Sequence, residues 1–376
     1  MNGLFFINET LSESSGISKK ILSQVKALKQ NGVEIQFSYL VKDKKYTLRK
    51  IENTVIAKFQ NNIFGKLKMY VSYKNLLNYI MSNDIDFIYI RYTHFSNYFF
   101  NRFLKKLKKS NLIIFLEIPT YPYDMEYKNI TGCRKIKFLI EKYYRNRMGK
   151  NINRIITFSN DDKIFGIKTI KMSNGIDINE ISIVNKNVKE SINEINFIGV
   201  AGIAFWHGFD RFILSMVEYY KNNPKEIVKF HIVGDGDKET VNNLKNLVKE
   251  NKLEKYVIFY GYKSGKELDE IYNESDIGIG CLGNFRKGLY EGGALKNKEY
   301  CAKGLPVVVA GPDYDFNNCE FIYQVSQDES LINIEKIIEW YKNLNMAPEE
   351  IRKYAEDNLS WNIQMKKVVE SIKELI

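Results

Sequence analysis

Short runs of β-branched and aromatic residues recur along the chain, separated by longer stretches in which apolar residues return every three or four positions. The runs predict strands at 3–7, 34–39, 87–90, 112–117 and 155–157, and again at 196–200, 229–233, 257–259, 277–279 and 306–309. The longer stretches predict helices, among them 18–31, 237–250, 267–273 and 295–302. Strands alternating with helices imply parallel sheets covered on both faces. The rhythm pauses at the polar stretch 178–193 and restarts at Asn196, so the pattern predicts two α/β domains, 1–190 and 191–359. Ligands of such domains bind beyond the carboxyl ends of the strands, and two in series can share a cleft. The loops after strands are therefore where chemistry is expected.

Composition narrows the partners. At 376 residues with 44% hydrophobic and 27% charged positions, the chain can build two cores. No apolar run reaches the ~20 residues of a membrane span. The apolar stretch at 3–7 is too short for a signal peptide and reads as a buried first strand. Cys133, Cys281, Cys301 and Cys319 form no C-x-x-C pair, and with three histidines they offer no zinc site; reduced thiols in a cytoplasmic protein are expected. The net charge of +11 is concentrated: between Asn101 and Ile155 fourteen Lys or Arg stand against four acids. A negative partner is implied, whether phospholipid, lipid-linked phosphate or nucleic acid, although no nucleic-acid motif is present. Phe99, Phe100, Phe103, Leu104 and Leu107 recur at helical spacing among these bases, as do Ile136, Leu139, Ile140, Tyr143 and Tyr144. These stripes fit a membrane interface, or equally the domain core with a solvated basic face.

The densest chemistry lies at 288–309, where Glu291-Gly292-Gly293-Ala294-Leu295-Lys296 precedes Glu299 and the run Tyr300-Cys-Ala-Lys-Gly304-Leu-Pro306. Gly292 and Gly293 let a ligand approach the backbone. A helix opening near Leu295 presents free N–H groups suited to phosphate oxygens. Lys296 opposes the helix dipole there, which a bound anion would justify. Glu299, one turn on, can accept both hydroxyls of a ribose. The bland alternative is an ordinary capped helix.

Glu291 and Glu299, seven residues apart and followed by Tyr-Cys-Ala-Lys-Gly-Leu-Pro-Val-Val, resemble the E-x7-E signature of the retaining glycosyltransferases of family 4. Ser173-Asn-Gly-Ile-Asp177 resembles the P-N-G-I-D loop of that family, and Val233-Gly234-Asp235-Gly236 its V-G-x-G strand end. Tyr260-Gly-Tyr262, Ser275-Asp-Ile277, Gly16-Ile17 and Ile156-Thr-Phe-Ser159 match further elements in order. The resemblance implies the GT-B fold, two Rossmann-like α/β/α domains facing a central cleft. It implies an acceptor-binding first domain, a nucleotide-sugar-binding second domain, and a last helix, 360–376, crossing back to the first. It also implies transfer of a sugar from a UDP- or GDP-linked donor to a saccharide or lipid-linked acceptor with retention. No metal or other cofactor is expected, and the setting would be surface-polysaccharide assembly at the inner face of the membrane. By that resemblance Gly16, Gly234, Gly292, Gly293, Ala294, Leu295 and Glu299 would hold the donor, and Glu291, Lys296 and His207 would act in catalysis.

The family's Arg and Lys after the first strand of the second domain are missing. That segment reads Ala201-Gly-Ile-Ala-Phe-Trp-His207-Gly208, with His207 where Lys is usual. The acceptor-side histidine is also absent from Glu117-Ile-Pro-Thr-Tyr121-Pro122-Tyr123. His94, Glu117 and Tyr121, each at or after a strand end, are the acceptor candidates, while His231, inside a strand, reads as structural. A nucleotide-sugar epimerase, a phosphorylase and a non-catalytic subunit of the same fold remain as alternatives. A nicotinamide enzyme is excluded by the missing third glycine after Gly236.

Overall fold

A computed structural model describes residues 1–12, 15–127, 131–185, 193–290 and 293–376. The chain forms two compact units, Met1–Gly175 with Trp361–Ile376, and Ile176–Ser360.

The first unit holds β1 (Asn2–Thr10), β2 (Glu34–Lys42), β3 (Tyr46–Ile51), β4 (Thr54–Gln60), β5 (Phe87–Arg91), β6 (Ile113–Ile118), β7 (Arg154–Thr157), β8 (Lys163–Ile164) and β9 (Ile167–Lys171) in the order β4-β3-β2-β1-β5-β6-β7-β9-β8. β1 is buried from Gly3 to Asn8, which explains its unbroken apolar run. The antiparallel edge hairpin β3–β4 escapes the apolar pattern because its buried positions include a charge. Arg49 is enclosed, donating to Asn8 Oδ1 at 2.7 Å and to the Ser72 and Met69 carbonyls. The first helix, Gly16–Gln30, begins two residues earlier than its apolar periodicity shows, because Ser15 caps it by accepting from Ser18 N–H. In the helix Tyr98–Lys109, Phe100, Phe103, Leu104 and Leu107 are core, so that stripe packs inward and only Phe99 of the set is exposed. The final helix, Trp361–Lys373, packs here too. Gly175 is required because a Cβ would press into the Trp361 ring, 2.6 Å from Cδ2.

The second unit holds β10 (Glu194–Val200), β11 (Ile227–Val233), β12 (Val257–Gly261), β13 (Ile277–Ile279), β14 (Val307–Ala310) and β15 (Ile322–Val325), all parallel, in the order β12-β11-β10-β13-β14-β15. This is a doubly wound sheet whose order reverses between β10 and β13. In sheets of this kind that switch point, at the carboxyl ends of those two strands, is where a ligand crevice is expected.

Candidate active site

His207 and Lys296 meet at that switch point. The loop after β10 is zipped to the loop after β11: Ala201 N–H donates to the Val233 carbonyl, Ile203 N–H to that of Asp235, and Asp237 N–H to that of Ile203, at 2.9–3.0 Å. The glycines of Val233-Gly-Asp-Gly236 serve this approach. A Cβ on Gly234, whose φ is +123°, would collide with the Ala201 carbonyl, and one on Gly236 with that of Ile203. Gly234→Ala is therefore expected to cost about 2 kcal/mol of stability or more without any ligand present. Urea unfolding checks this; an unchanged midpoint would mean the position is not structurally constrained.

The chain then turns through Phe205–His207, takes a left-handed step at Gly208 (φ +68°) and enters the helix Phe209–Lys221. Arg286 clamps the turn from outside, donating to the Phe205 carbonyl at 2.7 Å, to both Asp210 oxygens at 2.9 Å, and to Glu329. Arg211 braces it from inside, donating to the Leu282, Ser326 and Ser330 carbonyls. Leu282 N–H donates to the His207 carbonyl at 3.0 Å, joining the turns after β10 and β13.

The helix Leu295–Lys303 faces this crevice with an N-terminus that no side chain caps, since its N-cap is Ala294. Its body is firmly held. Tyr300 Oη accepts from Val200 N–H at 2.9 Å and donates to the Ile279 carbonyl at 3.2 Å. Buried Lys298 pairs with Asp315 at 2.7 Å, and Asn297 donates to Asp313 at 3.0 Å. Gly304, at φ +82°, ends the helix.

Lys296 Nζ is buried, and no hydrogen bond reaches it among the described residues. It lies 5.1 Å from the centre of the Phe209 ring. Burial holds its pKa below the ordinary lysine value, opposed by the neighbouring Cys281 thiol. His207 is half-buried, and burial, reinforced by the Lys296 and Lys287 charges, lowers its pKa to about 4. Its Nδ1 lies 3.1 Å from Ala204 N and 3.2 Å from Ala204 O. The neutral ring accepts from the amide, leaving the proton on Nε2, whereas the cation can donate to the carbonyl. Glu299 is an exposed residue, yet enough protein surrounds its carboxyl that burial raises its pKa, opposed by Lys303. An enclosed ammonium that no oxygen acceptor among the described residues satisfies, uncapped helix amides and an Nε2–H donor together suit a polyanion such as a diphosphate. At Gly293 a Cβ would meet open space, and Glu291 and Gly292 lie outside the described residues.

In the first unit Gly16 opens its helix with free space at its Cβ position. His94 follows β5 at φ +56°, stacks on Tyr123 with ring centres 3.8 Å apart, and shares a 2.5 Å hydrogen bond with Tyr127 Oη. Tyr121 packs edge-on to Tyr123. Burial and the Arg145 charge lower His94 to about 4. Glu117 corrects the expectation of an acceptor contact: it is fully buried, its carboxylate taken by Arg91, by Tyr89 Oη at 2.6 Å and by Gln24 at 2.9 Å, because its strand position points into the sheet's helix-covered face. Cys281, Arg286 and the Tyr123–Glu141–Arg145 group are site-shaping residues that motif reading misses. Only Cys281 carried a signal, its place directly after a strand at the switch point.

Half-buried His94 and His207 are neutral in the folded chain, binding protons there only near 4, whereas the unfolded chain binds them below 6.5. The stability they confer is complete above pH 6.5 and is lost as pH falls from 6.5 to 4. His207→Gln should flatten the fall of Tm across that window in calorimetry. An unaltered slope would contradict the neutral assignment.

Residues 184–356 match the family model described as glycosyl transferases group 1. No curated protein matches the chain in sequence. Among solved structures, the chain is similar to a glycosyltransferase from Rickettsia africae at 15% identity and a TM-score of 0.62, covering 100% of this chain and 98% of that one. It is also similar to Anabaena Alr3699/HepE in complex with UDP, at 13% identity and a TM-score of 0.59 with 100% of both chains covered. A sucrose-phosphate synthase from Thermosynechococcus elongatus follows at 13% identity and 0.57, covering 100% and 99%. The chain thus has the α/β GT-B fold, and its match to the group 1 glycosyltransferase model lies within the second unit.

Proposed function

We propose that this protein transfers a sugar from a nucleotide diphosphate sugar to a saccharide or lipid-linked acceptor, with retention of configuration. The observation that carries the reading is the buried Lys296 ammonium, which no oxygen acceptor among the described residues satisfies, at an uncapped helix N-terminus beside His207. The UDP complex of the similar Anabaena protein and the UDP-glucose complex of the same protein support a nucleotide-sugar donor.

Lys296, the Leu295 and Lys296 amides and His207 Nε2–H hold the diphosphate, and Glu299 accepts from the ribose hydroxyls. Glu291 and the Gly292–Gly293 backbone hold the donor sugar, and Gly16, Gly234 and Ala294 complete the donor set. The bond between the anomeric carbon and the phosphate oxygen breaks as negative charge grows on the diphosphate, where the preorganised donors stabilise it. The acceptor oxygen bonds to the same face of that carbon, and its proton passes to the departing phosphate. Charge neutralisation rests on protein groups, without a metal. His94 and Tyr121 serve the acceptor. The setting is surface-polysaccharide assembly on an anionic cytoplasmic membrane face; no helix among the described residues is long and apolar enough to cross a membrane. Proton NMR of the product, formed with EDTA present, tests the reaction. An anomer matching the donor is expected, whereas an inverted anomer, or a strict need for added Mn²⁺, contradicts it.

A further inference from the structure

The helix Gly132–Met148 is packed with its polarity reversed. Toward the unit it presents Glu141, 0% exposed, and Arg145, 9% exposed, together with Met148 and the partly buried Phe138. Away from it stand Ile136 (61% exposed), Leu139 (55%), Ile140 (45%) and Tyr143 (58%). The spacing of these four, at i, i+3, i+4 and i+7, is one continuous helical stripe. A helix whose only role was to cover a core would bury this face.

The inward polar residues are specified by their partners. Glu141 Oε1 accepts from Tyr92 Oη at 2.5 Å and from Tyr123 Oη at 2.6 Å, and Arg145 makes a two-pronged pair with Asp124 at 2.5 and 2.9 Å. These contacts fix the rotation of the helix about its axis and so hold the apolar stripe outward. The neighbouring helix Ile63–Val71 repeats the feature, with Ile63, Phe64 and Leu67 exposed, and Lys137 Nζ sits 3.9 Å over the Tyr70 ring to join the two helices.

Charge identifies the occupant. Lys135 and Lys142 flank the stripe on one side and Lys137 on the other, with Arg147 at its end, all exposed. Apolar residues ringed by cations complement an anionic bilayer, whose acyl region takes the stripe while its headgroups meet the lysines. We propose that the outward face of helix Gly132–Met148 inserts into the headgroup–acyl boundary of an anionic membrane. The inference rests on the membrane-side transferase reading above and adds the surface and the mode, insertion rather than charge attraction alone.

Co-sedimentation with phosphatidylcholine vesicles, with and without phosphatidylglycerol, tests this. Wild type should bind the anionic vesicles, and a fraction should stay bound near 1 M salt, where the screening length falls to about 3 Å and charge attraction fades. The variant Ile136→Gln/Leu139→Gln/Ile140→Gln should partition on the order of tenfold more weakly and lose the salt-resistant fraction. Its Tm and its UDP-sugar binding should match wild type, because the changed side chains are exposed and lie in the other unit from Lys296. Partition equal to wild type at both salt levels overturns the proposal. So does a wild type that ignores vesicles and forms a dimer that the variant dissolves. Donor binding on the same samples keeps the two readings apart: if it persists without vesicle binding, only the insertion surface fails, and if it is absent in wild type, the transferase reading itself fails.

Discussion

Lys296→Met is expected to lower kcat by about 10²–10³-fold, the range for removing one preorganised charge-stabilising donor, and to leave the ligand-free protein as stable as wild type or more so. The two effects have one cause. A buried ammonium that no oxygen acceptor among the described residues satisfies, eased only in part by the Cys281 thiol, is stored at a cost to folding that is released when the leaving diphosphate becomes its partner. The sign follows from linkage. Burial places the folded pKa below the unfolded 10.5, so the unfolded chain binds more protons in between. The cost is full below the folded pKa and fades as pH rises toward 10.5. The Tm advantage of the variant should therefore be clear at pH 7 and shrink in alkali. Thermal melts across pH, paired with initial-rate kinetics, read both. A destabilised variant with normal kcat would make Lys296 an ordinary structural residue.

Glu299→Ala is expected to weaken donor binding by roughly tenfold to a hundredfold, since hydrogen bonds to a charged acceptor contribute about 1.5–3 kcal/mol. Glu299 is an exposed residue whose side chain takes no hydrogen bond from a described residue, so Tm should move little. Calorimetric titration with the nucleotide sugar, and separately with the free nucleoside diphosphate, locates the loss. If the ribose is the partner, both ligands weaken by the same factor. A loss confined to the intact nucleotide sugar would assign Glu299 to the sugar instead.

What the sequence disclosed follows from what periodicity records. Buried parallel strands such as β1 and β14 are apolar runs, broken in β10 only by Asn196, and the helix Leu295–Lys303 carried its Gly304 stop openly. The β3–β4 hairpin was silent because Arg49 occupies a buried position, and β15 because its four residues only partly bury. At the site, Lys296 and Glu299 stood out as charges at a helix start. Sequence marked His207 as a substitute cation, but burial, reinforced by Lys296 across the switch point, keeps it neutral, a property invisible in either segment alone. Gly234 read as a donor contact, yet the strict need for it and for Gly236 comes from the loop at Ala201–Ile203. Most deceptive was the basic region. Two similar stripes proved opposite, that of Tyr98–Lys109 facing the core and that of Gly132–Met148 facing out, because only the second helix places Glu141 and Arg145 where Tyr92, Tyr123 and Asp124 can bind them.

The central claim is that the second unit holds a nucleotide diphosphate sugar on Lys296. Thermal melts of wild type and Lys296→Met against UDP-, GDP- and ADP-sugars test it most directly. One nucleotide class should raise the wild-type Tm by several degrees at saturation and the variant's far less, as expected for a ligand that binds the folded state through that charge. No shift with any of the three, or equal shifts in both proteins, would contradict it.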